Sequence, residues 1–333
     1  MLVLLWGSGA DGPLVAVREE LDLLGVPYLV VDQRDVLNTE IQLTVNGGLE
    51  GTIRMRARCV DLAAVTAVYL RPYEPLQSPV VTRAGSDVAA RRHALAVGYT
   101  MMSWSRITRA LVVNRPQAAA ANGSKPYQLG QIRSFGFEVP DTLLTTDPDA
   151  ARDFWQRHGT VVYKSVSGTR SIVSRLKPEH AERLANVKSC PTLFQQYVPG
   201  KDHRIHVVGD EVFACEIISE ADDYRYPAHH KVEIRACRLP QDIVDRCRRL
   251  GAAVRLPVAG IDLRRTPEED WYCFEVNPSP AFTYYTDRTG QPIGLAIARL
   301  LAAGQQDAPR LPEADAESTD LKAQAAGLRG PQS

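Results

Sequence analysis

The sequence has no surplus of charge of either sign: 39 Lys and Arg offset 39 Asp and Glu over 333 residues, a formal net charge of zero. Non-specific nucleic-acid binding needs a cationic excess to neutralise phosphates, so that class of partner is not expected. Long hydrophobic runs are also missing. No stretch approaches the ~20 apolar residues that cross a bilayer, and no membrane partner is expected. The apolar start at Met1–Trp6 lacks a basic flank and meets Gly7 and Asp11 within a few residues, which suits a buried first strand better than a signal peptide. Cysteine is sparse. The six (Cys59, Cys190, Cys215, Cys237, Cys247, Cys273) form no CxxC pair, so the thiols are expected to be reduced, partly buried and cytoplasmic.

What is present is an ordinary globular composition, 44% apolar and 23% charged, long enough for two or three lobes. Residues 1–113 read as an α/β lobe. Leu2–Trp6 and Pro27–Val31 are apolar runs flanking a helical pattern at Pro13–Leu24, an order that implies a parallel sheet. Gln42–Arg56 alternates around Asn46-Gly47-Gly48, a hairpin signal. Ala67–Leu70 reads as a strand and Arg83–Trp104 as a long helix. The glycines of Gly7–Gly12 lack GxGxxG spacing, so a tight turn is preferred to a dinucleotide site.

Residues 114–198 and 199–304 read as two further lobes. The first has a helix that Ser124 can cap, strands at Phe137–Leu144, Thr160–Lys164, Ile172–Arg175 and Leu193–Gln196, and helices from Asp147-Pro148 and over Pro178–Ala185. The second has strands near Arg204–Val208, Glu211–Ile218, Val232–Ala236, Val258–Arg264 and Trp271–Val276, with helices over Gln241–Val254 and Ile293–Ala303. Residues 305–333 lack apolar periodicity and are expected to be a disordered tail.

The chemistry concentrates in Gly260-Ile261-Asp262-Leu263-Arg264 and Trp271-Tyr272-Cys273-Phe274-Glu275-Val276-Asn277. Residues two apart on a strand share a face. If these strands pair across a turn at Thr266–Asp270, Asp262, Glu275 and Asn277 converge as hard oxygen ligands suited to Mg²⁺. The alternative is the solvent face of an ordinary hairpin. Upstream, the apolar strand ending at Lys164 runs into a small-residue loop, Ser165–Ser171, whose backbone N–H groups could face phosphates. Gln196-Tyr197-Val198 reads as an inter-lobe hinge, and Asp202 and Arg204 share a face just beyond it.

The order of these pieces resembles the ATP-grasp superfamily over residues 114–304. The resemblance implies an α+β, ATP-grasp fold with an N-terminal α/β (pre-ATP-grasp) lobe, and an ADP-forming ligase that uses ATP and Mg²⁺ to activate a carboxylate as an acyl phosphate. It implies phosphate contacts at Lys125 and Lys164, a phosphate cover at Ser165, Ser167 and Gly168, adenine contacts at Gln196, Tyr197 and Val198, and ribose at Asp202. It also implies charge stabilisation by Arg204 and metal ligands at Asp262, Glu275 and Asn277; Arg264, on that strand face, is expected to hold the acyl phosphate or an acceptor carboxylate.

Within that superfamily the chain is most similar to the microviridin-type (graspetide) peptide maturases, through Val68-Tyr69-Leu70-Arg71-Pro72, Val113-Asn114-Arg115-Pro116, Gly136–Leu144, Val207-Val208-Gly209-Asp210 and Asp262-Leu263-Arg264. It departs from them in Asn122-Gly123-Ser124-Lys125 before the helix lysine and in Pro280-Ala281-Phe282 after Asn277-Pro278-Ser279. The implied partner is a precursor peptide. A small amino-acid acceptor or protein tail, as in ribosomal-protein glutamate ligases, is the alternative, and a non-catalytic nucleotide-binding module is the alternative from another class. A homodimer is compatible with all three. His229-His230 lacks a spaced third ligand for zinc and reads as a loop near the acceptor pocket. Asp222-Asp223 reads as a solvated loop, and Arg246, Arg248 and Arg249 read as the wet face of a helix.

Overall fold

The computed structural model describes residues 1–45, 49–56, 58–77, 79–83, 85–122, 124–165, 173–219, 224 and 231–304. The first sheet is parallel, in the order β2-β1-β6-β7, from β1 (Leu2–Gly7), β2 (Tyr28–Asp32), β6 (Val65–Arg71) and β7 (Leu111–Val113), with α1 (Gly12–Leu23) crossing between the first two. Turn chemistry sets that crossover. The Asp11 side chain caps α1 by accepting the Leu14 N–H, as expected of an acidic N-cap, and the Gly7–Gly12 stretch is a plain turn.

A three-stranded antiparallel meander follows β2: β3 (Thr39–Val45), β4 (Leu49–Met55) and β5 (Arg58–Asp61). Val45 pairs with Leu49, so the hairpin expected there is formed, and its Asn46-Gly47-Gly48 tip lies outside the described residues. The long helix begins later than its periodicity suggests. Pro79–Arg83 is a separate short helix, α2, and α3 runs Val88–Ile107 from Asp87, which accepts the Ala89 and Ala90 N–H groups.

The chain then forms α4 (Pro116–Asn122) and α5 (Lys125–Ser134). Ser124 stands at the N-cap of α5 without a side-chain capping bond. The second sheet is antiparallel, order β10-β9-β11-β8: β8 (Thr142–Thr145), β9 (Val161–Ser165), β10 (Ser174–Arg175) and β11 (Thr192–Gln196). Asp147 caps α6 (Pro148–His158) between β8 and β9. The Phe137–Leu144 strand is shorter than its pattern implies because Pro140 has no N–H for a ladder. Glu138 instead bonds the far sheet, donating to Trp271 O and accepting from Cys273 N. Pro178–Ala185 forms two 3-10 turns rather than an α-helix.

The third sheet, β14-β13-β12-β15-β16, is antiparallel and carries the chemistry: β12 (Lys201–Val208), β13 (Glu211–Ser219), β14 (Val232–Ala236), β15 (Val258–Arg265) and β16 (Trp271–Asn277). One face packs on α7 (Gln241–Ala253) and α5 through Ile205, Val207, Ile261, Leu263, Cys247 and Leu250. Arg246 and Arg248 do more than face water, since their guanidinium groups brace α7 by donating to Gly136 O and Asp210 O. The short α8 (Thr283–Thr289) and α9 (Ile293–Ala303) return to the start of the chain. Ile293, Ile297 and Leu301 share a core with Leu14, Val17 and Leu21 of α1. All six cysteines are free thiols, three of them buried. Among the described residues no helix is long and apolar enough to cross a membrane.

Candidate functional site

Strand alternation places Asp202, Arg204 and His206 on one face of β12, opposite Arg264, Asp262 and Gly260 of β15. On the next strand Asp262 pairs with Glu275 and Gly260 with Asn277, with a bulge just beyond Asp262. The turn between β15 and β16 closes through Thr266 N–H donating to Asp270 O. The hairpin that period two predicted is therefore formed, with Asp262 directly opposite Glu275.

Two lysines from elsewhere meet these carboxylates. Lys125, the first residue of α5, places Nζ 3.7 Å from a Glu275 carboxylate oxygen. Lys164 comes from β9 in the second sheet and is buried. Burial pushes its ammonium down to about 8, the neighbouring Lys125 charge adds to that, and Glu275 and Asp262 oppose it. A buried ammonium whose carboxylate neighbours do not offset its burial is ready to take up phosphate charge.

Arg204 is buried and donates Nη1–H to Asp262 at 2.6 Å, while its Nε has no partner among the described residues. Burial by itself would lower the guanidinium; the negative charge of Asp262 outweighs it and holds Arg204 above its ordinary value. Gly260 makes room for it, since a Cβ there would lie 2.1 Å from Arg204 Nη2 and 2.8 Å from Pro280 Cβ. The Tyr285 ring stands 5.6 Å from the Arg204 guanidinium, and its hydroxyl pairs with that of Tyr224 at 2.8 Å. His206 lies under Tyr285, its ring 5.1 Å away, with a buried Nε2 that has no partner among the described residues. Burial, then the Arg204 charge, keeps its imidazole well below the ordinary value and therefore neutral.

The hinge departs from expectation in detail. Gln196 N–H donates to Asp141 O and Tyr197 N–H to Thr160 O. Among the described residues the buried Val198 N–H has no protein partner, which leaves it as the open backbone donor of the three. Arg264 is committed to this end of the site. Its Nε and Nη2 fork onto Asp202 at 2.7 and 2.8 Å, and Nη1 donates to Val198 O. It also flanks the Tyr197 and Phe274 rings. The guanidinium expected to reach an acyl phosphate thus pairs with the carboxylate expected to reach ribose.

The donor set suits a hard cation that arrives with phosphates. Two carboxylates face each other, and Asn277 Oδ1 accepts the Ser279 N–H at 2.8 Å. Among the described residues no group of three His, Cys, Asp or Glu could hold an ion alone, and Mg²⁺ is commonly held by one or two carboxylates plus substrate oxygens. Ser167 and Gly168, the rest of the loop after β9, His229-His230 and Asp222-Asp223 lie outside the described residues; for Ser165 only the backbone is described, at the end of β9. Gly260, His206, Tyr285 and Tyr224 were not singled out from the sequence. The first two share a strand face with named residues and were within reach of the same alternation; the tyrosines come from distant segments.

A family model described as a RimK-like ATP-grasp domain matches residues 124–301, more than half of the chain. No curated protein matches significantly. Among solved structures, the chain is similar to the ATP-grasp ligase PsnB complexed with a phosphomimetic variant of its minimal precursor, Mg and ADP. That pair shares 26% identity and a TM-score of 0.76, covering 91% of this chain and 98% of PsnB. The macrocyclase MdnC bound with precursor peptide MdnA, from Microcystis aeruginosa, has the same fold at 24% identity and TM-score 0.77, over 91% of this chain and 100% of MdnC. D-alanyl-alanine synthetase A of Vibrio cholerae is more distant, at 13% identity and TM-score 0.58 over 91% and 98% of the two chains.

Proposed function

Because the chain belongs to the RimK-like ATP-grasp family and is an ATP-dependent ligase, we propose that it activates side-chain carboxylates of a ribosomally made precursor peptide and closes them onto side-chain hydroxyls or amines. The observation that carries this reading is the meeting of Lys125, Lys164 and Arg204 with the Asp262–Glu275 pair at the junction of two sheets. The peptide acceptor is supported by the similarity to PsnB over nearly its full length.

A carboxylate is a poor electrophile; ATP supplies the phosphoryl group that converts it to an acyl phosphate, and Mg²⁺ neutralises the charge that moves. In this reading Asp262, Glu275 and Asn277 hold the metal with phosphate oxygens. Lys164 and Lys125 bind phosphates, and the preformed position of their charges avoids reorganisation during transfer. Arg204, with its open Nε edge, takes the acyl phosphate. The Val198 N–H meets adenine, Asp202 lies nearest the ribose, and Arg264 acts through Asp202 to keep the hinge in place. Ser165, Ser167 and Gly168 cover the phosphates and exclude water that would hydrolyse the intermediate.

Incubation with the cognate precursor, ATP and Mg²⁺ should give products lighter by whole multiples of one water, with ADP and phosphate released. A mass gain of one amino-acid residue would identify a tailing ligase instead. Release of AMP and pyrophosphate would refute the acyl-phosphate route.

A further inference from the structure

Two buried side-chain amides hold the backbone of the carboxylate strands from outside the sheet. Gln128 of α5 donates Nε2–H to the Val276 carbonyl at 2.7 Å and accepts the Val276 N–H at 2.9 Å. Val276 lies between Glu275 and Asn277 on β16, an edge strand. Asn114, just after β7, treats β15 in the same way: it accepts the Val258 N–H at 3.2 Å and donates to Val258 O at 2.6 Å. The same Nδ2 also donates to the carbonyl of Pro278, the residue after Asn277.

Buried backbone groups need partners, and a carboxamide offers a donor and an acceptor in one plane, as a peptide group does. Gln128 therefore completes the edge of β16 at Val276, beyond the bridge that Glu138 makes at Tyr272. Its consequences reach past the edge. A tilt of the Val276 peptide re-aims Glu275 and Asn277 together, because they flank it on the opposite face.

We propose that Gln128 and Asn114 are positioning residues that aim Glu275 and Asn277 at the metal, a role that rests on the metal assignment above. Groups that orient ligands characteristically change metal affinity by 10–100-fold when removed. In Gln128→Glu a carboxylate oxygen replaces Nε2 and faces the Val276 carbonyl, with little change of volume.

The test is ADP affinity by calorimetry, with Mg²⁺ and with EDTA, on the wild type and on Gln128→Glu. The gain in affinity conferred by Mg²⁺ should shrink by about tenfold or more, while affinity in EDTA stays within about twofold. A lowered melting temperature with the Mg²⁺-dependent gain intact would mean a merely structural role and would overturn the proposal. Asn114→Asp and Gln128→Met are scored in the same way, so that misfolding of one variant leaves the question decidable. A wild type whose ADP affinity ignores Mg²⁺ would instead condemn the metal assignment, an outcome distinct from a loss confined to the variants.

Discussion

Replacing Lys164 by Met separates what the ammonium does for binding from what it costs the fold. The group is buried, and its proton affinity drops from the ordinary 10.5 to about 8, burial being the largest cause and the Lys125 charge the next. At about 1.4 kcal/mol per pH unit, the folded nucleotide-free protein gives up roughly 3 kcal/mol at pH 7 to keep Lys164 charged. Met retains the apolar stem and removes the charge, so the variant should be more stable than the wild type by about 2–3 kcal/mol in urea denaturation at pH 7. The sign of the pH dependence follows from linkage. Between pH 8 and 10.5 the unfolded chain holds this proton more tightly than the folded one, so wild-type stability rises with pH in that window. The advantage of the variant should be full below pH 8 and close towards pH 10.5. Nucleotide binding should move the other way, with MgADP affinity weaker by roughly 2–4 kcal/mol in calorimetry. A variant less stable than the wild type at pH 7, or a stability difference that ignores pH, would refute the claim that Lys164 is an unfavourably placed charge awaiting phosphate.

Glu275→Gln removes one of two opposed carboxylates and should abolish Mg-ATP turnover with the circular dichroism spectrum unchanged; ordinary turnover would take Glu275 out of the site. Gly260→Ala drives a methyl group into the Arg204 guanidinium and Pro280, so it should cost about 3 kcal/mol of stability by breaking the Arg204–Asp262 pair and lower kcat by about 10²-fold. Denaturation and turnover at wild-type values would show that the guanidinium can relocate freely. Arg264→Lys cannot reproduce the fork onto Asp202, so KM for ATP should rise several-fold with kcat little changed; a fall in kcat alone would return Arg264 to the acyl phosphate.

Local chemistry was legible in the sequence wherever a short period or a turn signal carried it. Alternation along β15 and β16, with the Thr266–Asp270 turn between them, sufficed to bring Asp262 and Glu275 together. Asp147-Pro148 marked the start of its helix, whereas Asp11, which caps α1, was passed over, and Ser124, which can cap, makes no capping bond. Where a helical period alone was followed it ran too far: the break between α2 and α3 is marked by the local Asp87 cap that the period overrides, and after Pro178 the same kind of pattern folds as 3-10 turns.

Interactions between distant segments belonged to the tertiary structure. Strand alternation put Arg264 on the metal face, yet could not show that Asp202, 62 residues earlier, would claim its fork. The hinge triplet was visible, whereas the loss of the Gln196 and Tyr197 N–H groups to Asp141 and Thr160 was not, because those partners come from other elements. Gln128 meets Val276 across 148 residues and Asn114 meets Val258 across 144, and nothing in the local pattern of either amide marks its partner. Side-chain direction along a strand is set by the backbone's own period of two, which any stretch of sequence displays. Which buried donor finds which buried acceptor is decided only when the sheets and helices close on one another and water is no longer there to satisfy them.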